Sequence, residues 1–295
     1  YFSVNAGKAW SKLNGGVPTI SFRDLAIHKR ENDLVGASFG RGFYVFDDIS
    51  VFRELSNSQM KDKATLFSVR KAWWYIARPY LGFNDPWNGL KGSQGDSYFV
   101  APNPPFGAVF TYHLSESLLT KKDIRTKKES ATIKKGKAVG FPGWKIVESE
   151  NRELDPKVII EIKDSNDEVV RRLEGPASKG FHRIAWDLRY PSPNAIMDGT
   201  ASVNTSGFLA PPGQYSVTIF TQLDGKVAKI SDSKNFDVVP LRKGALETES
   251  HDKIAKFWRQ YEQTAKRGSA IQFEVAELLN KVNRMYVAMG QSTGG

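Results

Sequence analysis

The first 55 residues are built from apolar runs too short for helices, each closed by residues that turn the chain. Tyr1–Val4, Ala9–Leu13, Phe22–His28, Leu34–Phe39 and Phe43–Phe46 read as strands. Between them lie Asn5 and Gly7, then Asn14, Gly15, Gly16 and Pro18, then Glu31, Asn32 and Asp33, then Gly40 and Gly42, with Asp47 and Asp48 closing the series. Phe22–His28 alternates, with Phe22, Asp24 and Ala26 on one face and Arg23, Leu25 and Ile27 on the other. Strands of this length and spacing predict one blade of a β-propeller over 1–55. A single blade cannot bury both of its faces, so the segment is expected to dock against further blades, in the same precursor or in another chain.

Ser3, Asn5, Gly7 and Trp10 fit the pattern Ser-x-Asp/Asn-x-Gly-x-x-Trp, the Asp-box of neuraminidase-type BNR repeats. The chemistry suits a hairpin staple. An Asn side chain can hydrogen-bond the backbone of its own turn, Gly permits positive φ, and Trp covers the turn. The segment from Asp24 through His28, Arg30, Asn32, Asp33 and Leu34, followed by Gly40, Arg41, Gly42, Phe43, Asp47 and Asp48, resembles the last blade of bacterial sortilin-like (Vps10-type) propellers. Proteins of that family are usually labelled glycosyl hydrolases. Lys29 stands where the family usually has Pro, and Phe39 where it usually has His. The resemblance implies a secreted, periplasmic or cell-surface bacterial protein. The chain opens within a strand and ends in a linker-like stretch, so it is expected to be a piece of something longer.

Residues 56–106 read as a connector rich in Gly, Pro, Asn and aromatic residues, irregular apart from a strand near 64–67. Trp73, Trp74, Tyr75 and Trp87 form its candidate ligand platform, since flat rings stack on sugar faces. The competing reading, favoured here, is that these rings pack the connector onto its neighbours.

Over 107–240, strands are expected at Ala108–Leu114, Val158–Ile162, Val169–Leu173, Gly180–Arg189, Gln214–Thr221 and Asn235–Val239. Their number and turn spacing predict an immunoglobulin- or fibronectin-III-like β-sandwich, with Trp186 in its core. A basic insertion at 116–152 carries ten Lys/Arg against five Asp/Glu, half of the chain's net +10. It lacks a nucleic-acid fold signature, so it reads as a solvated surface excursion and no nucleic-acid partner is expected. Beyond 245, Ile254, Phe257, Trp258 and Tyr261, then Val275, Leu278, Leu279, Val282, Met285, Tyr286 and Met289, recur at spacings of three and four. Gly268 and Ser269 divide the pattern, predicting a short helical hairpin over 245–289. The fold class is thus mainly β, with a blade, a sandwich and a helical tail.

The 295 residues include no cysteine, which excludes disulfides, thiolate metal sites and a cysteine nucleophile. Four His, none close in sequence, leave no metal site to expect, and no cofactor motif is present. No run is long and apolar enough for a transmembrane segment. Glycosidase chemistry asks for two carboxylates about 5–9.5 Å apart in a cleft. The acids here sit in turns and form no persuasive pair, so no catalytic residue is assigned. The expectation is a binding or assembly role towards protein, peptide or glycan. The alternative is a glycoside hydrolase whose catalytic residues lie in blades outside this sequence.

Overall fold

In the computed structural model the chain is mainly β, with a curled half-barrel sheet and a long C-terminal helix. The structure describes residues 1–12, 16–17, 19–56, 59–76, 101, 103–194, 206–243 and 249–292.

Three antiparallel strands open the fold: β1 (Phe22–His28), β2 (Asp33–Ser38) and β3 (Phe43–Phe46), in that spatial order. Among the described residues, the runs at 1–4 and 9–13 meet at an isolated bridge between Phe2 and Ser11, and Leu13 lies outside those residues. A short helix α1 (Ser50–Glu54) follows, and the Phe52 ring packs on Phe2 and Phe46.

The stretch read as an irregular connector contributes β4 (Ala64–Leu66) and β5 (Ala72–Trp74) to the main body. Next come β6 (Ala108–Leu114), helices α2 (Lys121–Ile133) and α3 (Trp144–Asn151), then β7 (Lys157–Asp164) and β8 (Val169–Gly175). The rest of the body is β9 (Gly180–Trp186), β10 (Arg189–Pro191), β11 (Ser206–Leu209), β12 (Gly213–Leu223), β13 (Lys226–Lys229) and β14 (Lys234–Pro240). One sheet runs β5-β14-β12-β7-β8, with β13 also paired to β12. A second runs β4-β6-β9, and β10 pairs with β11. Only the β14–β5 pairing in the larger sheet is parallel.

The two sheets share one core. Val158, Ile160 and Ile162 alternate inward from β7, and Tyr215, Val217 and Ile219 do so from β12. From the other sheet, Phe110 meets Phe236 edge-on at 5.4 Å, and Trp186 meets Tyr215 at 5.2 Å. Trp186 is fully buried, and its indole N–H donates to the Arg189 carbonyl at 2.9 Å. That bond becomes available because Leu188 adopts a φ of 55° and breaks the expected Gly180–Arg189 strand into β9 and β10. Gly107 leads into β6 with a φ of 101°, and a Cβ there would lie 1.9 Å from the Trp186 carbonyl oxygen. Only glycine fits this approach.

The insertion at 116–152 folds into α2 and α3. Thr120 and Asp123 close α2 with a reciprocal capping box. Arg125 clasps the buried Glu150 through two bonds of 2.7 and 2.8 Å and reaches Glu129 on its own helix.

The expected helical hairpin is corrected. One helix, α4 (His251–Gln291), runs unbroken for 41 residues through Gly268 and Ser269. A lone Gly inside a helix costs only about 1 kcal/mol relative to Ala. Ala265, Lys266, Arg267 and Ala270 flank the pair with strong helix formers and no Pro intervenes, so nothing reverses the chain. The first half of α4 is fastened to the body. Trp258 stacks on Phe208 at 4.4 Å, Arg259 lies over the Tyr190 ring, and buried Glu262 pairs with Arg259 and Lys266.

Candidate functional site

The Ser3–Trp10 turn is closed by its own side chains. Ser3 Oγ donates to Asn5 Oδ1 at 3.0 Å and accepts from the Gly7 amide at 2.8 Å. Asn5 Oδ1 accepts from the Ala9 amide at 2.8 Å. Ala6 and Gly7 both have positive φ, and the Trp10 indole lies over Gly7. These groups hold a turn; the Trp10 ring itself is mostly exposed.

The register of β1–β3 sorts the side chains onto two faces. Ala26, Val35 and Val45 form one row, continued by Ala37 and Phe43. Ile27, Leu34 and Phe46 form a row on the opposite face, continued by Leu25, Gly36 and Tyr44. Phe43 and Val45 are 78% and 59% exposed on the first face; Leu25 and Ile27 are 61% and 50% exposed on the second. Among the described residues, both faces of this sheet therefore carry exposed apolar side chains, with Phe46 on the second face partly covered by Phe52. A sheet with one wet face is usual; a sheet with two apolar faces requires a layer on each side.

A charged junction fastens this sheet to the body. The Glu31 carboxylate, in the β1–β2 turn, accepts from the Trp73 indole at 3.1 Å and pairs with Arg70 at 3.2 Å. Arg70 also donates to the Glu31 carbonyl at 3.0 Å. Asp33 accepts from the Asp48 amide at 2.9 Å. Asp48, at a φ of 49°, accepts from the Ser50 hydroxyl at 2.6 Å. From β9, Arg183 donates to the Asp47 and Asp48 carbonyls at 2.9 and 3.4 Å. Burial, with Asp33 next in importance, pushes the Asp47 carboxyl above its ordinary range. The chain thus gathers Asp33, Asp47 and Asp48, but Asp33 and Asp48 spend their oxygens on this junction's own backbone and hydroxyl donors. Among the described residues no group of His, Asp or Glu is arranged to hold a metal ion.

Among the described residues, Trp73, Trp74 and Tyr75 do not share one surface. Trp73 and Trp74 are neighbours on β5 and so point to opposite sides. Trp73 is held by Glu31 beneath the Lys71 ammonium, 4.5 Å from its ring. Trp74 donates to the Ala210 carbonyl at 2.8 Å and meets His251 edge-on. Tyr75 stands against Phe106. Trp87 lies outside the described residues.

No protein-family model, curated protein or solved structure matches this chain.

Function therefore has to be read from the surfaces. Glu31, Arg70 and Arg183, which build the junction, carry no motif in the sequence. Glu31 reads as a turn residue there, and its partners are 39 and 42 positions away. Spacing along the chain does not reveal such contacts. Among the described residues, no helix is long and apolar enough to cross a membrane.

Proposed function

We propose that this chain serves binding or assembly as part of a secreted or cell-surface propeller protein of the sortilin-like, BNR-repeat kind. In this reading 1–55 is a blade, the two packed sheets are an immunoglobulin- or fibronectin-III-like module that braces it, and the rest of the propeller recognises protein, peptide or glycan. The observation that carries the reading is the pair of exposed apolar faces on β1–β3. Stacked blades meet face to face, so each blade needs apolar side chains on both sides. Support comes from the side-chain bonds that close the Ser3–Trp10 turn and from the Asp48 amide donating to Asp33. The carboxylates' occupation at the junction argues against catalysis by this segment.

The test is a two-face variant. Leu25→Lys with Phe43→Lys should leave the melting of the main body unchanged, because both side chains are exposed. It should abolish association with a polypeptide supplying further blades. Retained association would contradict the reading, as would glycan hydrolysis by this chain alone.

A further inference from the structure

The distal half of α4 presents an apolar seam to solvent. Ile271, Val275, Leu278, Val282, Met285 and Met289 alternate spacings of four and three, and each is between 50% and 75% exposed. Alternating three- and four-residue steps give the 3.5-residue period of a left-handed coiled coil, and exposed Leu279 and Tyr286 widen the stripe onto the neighbouring e positions. In heptad terms Val275, Val282 and Met289 take position a, and Ile271, Leu278 and Met285 take d. The same register runs back through Gly268 at a and Thr264 at d. The face that α4 turns to the body is centred elsewhere, on Trp258, Arg259 and Glu262, although Tyr261 at the next a position back also reaches Phe208. The seam is therefore not the docking face of the proximal half.

We propose that this seam pairs with the same seam of a second copy of the chain, antiparallel, about a two-fold axis between Val275 and Leu278. Size and charge both select this arrangement. Antiparallel pairing sets Val275 against Leu278, Ile271 against Val282, and Gly268 against Met285 of the second copy. A long Met side chain thus meets the position without a side chain. The flanking g positions then set Glu274 against Lys281 of the second copy, and the two-fold axis repeats that pair. Neither residue has an ion pair within the chain among the described residues. A parallel pairing would oppose Gly268 to Gly268, leaving a gap, and would set Glu274 beside Leu279 and Lys281 beside Tyr286. The two globular bodies, fastened at the proximal ends of the helices, would lie at opposite ends of the pair.

Analytical ultracentrifugation of the intact chain at micromolar concentration tests this. The expected species has twice the 33.0 kDa chain mass. Leu278→Lys should return it to a single chain mass while near-ultraviolet dichroism of the aromatic core stays unchanged. Glu274→Lys and Lys281→Glu should each weaken the dimer roughly tenfold, and the two together should restore it. The two positions lie two turns apart on one helix, about 10 Å, so restoration reports pairing between copies. Because the chain has no cysteine, Ser292→Cys labelled with pyrene reads orientation cleanly. The antiparallel pair gives no excimer. A monomer, a dimer insensitive to Leu278→Lys, an uncompensated charge swap or a pyrene excimer would each overturn the proposal.

Discussion

Single residues carry the sharpest consequences where backbone or buried charge leaves no room. Gly107→Ala would force a Cβ into the Trp186 carbonyl at a left-handed φ, because the Gly107 backbone lies against β9. The expected loss exceeds about 3 kcal/mol in chemical denaturation. Asn5→Ala removes the acceptor of the Ala9 amide on an exposed turn. A net loss of about 1 kcal/mol, confined to the turn, should appear as faster exchange of the Ala9 amide. His113 is buried on β6 with its Nδ1 unpartnered, and burial holds its pKa below the ordinary value, with Lys179 and His182 adding to the effect. The unfolded chain therefore takes up this proton more readily than the folded one. Stability should rise with pH through the interval below 6.5 and level off above it, as measured by urea midpoints across that range. His113→Phe should flatten that slope.

At the scale of elements, strands are largely legible because the alternation of β7, β9, β12 and β14 is produced by the burial it predicts. Val158, Ile160 and Ile162 face the core, as their spacing requires. The alternation of β9 likewise puts Trp186 inside. Other elements escape that logic, β5 and α4 among them. β5 is three residues long and too short to show a period. α4 is long, but its apolar residues are spaced to meet another helix, and Gly268 imitates a turn without supplying one. Within one chain Gly268 has open space around its Cβ position, so Gly268→Ala in the single-chain Leu278→Lys background should raise helix stability by about 1 kcal/mol, read as a higher midpoint in far-ultraviolet dichroism. In the basic insertion, charge alone suggests a solvated excursion, yet Arg125 and Glu150 tie α2 to α3. Arg125→Ala should strip exchange protection from both helices while leaving β7 and β12 protected.

For the whole molecule, the contacts that matter join distant segments. The Ser3–Trp10 turn can be read from Ser3, Asn5, Gly7 and Trp10 because its bonds close within the turn itself. The junction of Glu31 with Arg70 and Trp73, and of Arg183 with the Asp47 and Asp48 carbonyls, depends on how two separate sheets are brought together. Neither periodicity nor turn chemistry reports it. The aromatic residues of 73–75 make three separate packing contacts, in keeping with the favoured reading that these rings pack the connector onto its neighbours. Among the described residues, what the assembled chain leaves open is the β1–β3 sheet, fastened at one end and with exposed apolar side chains on both faces. Hydrogen–deuterium exchange over β1, β2 and β3 tests that account most directly. In this chain alone those amides should exchange far faster than those of β7 and β12, and further propeller blades should slow them at least about a hundredfold. Equal protection of β1–β3 and the core strands in the chain alone, or no slowing when blades are supplied, would contradict it.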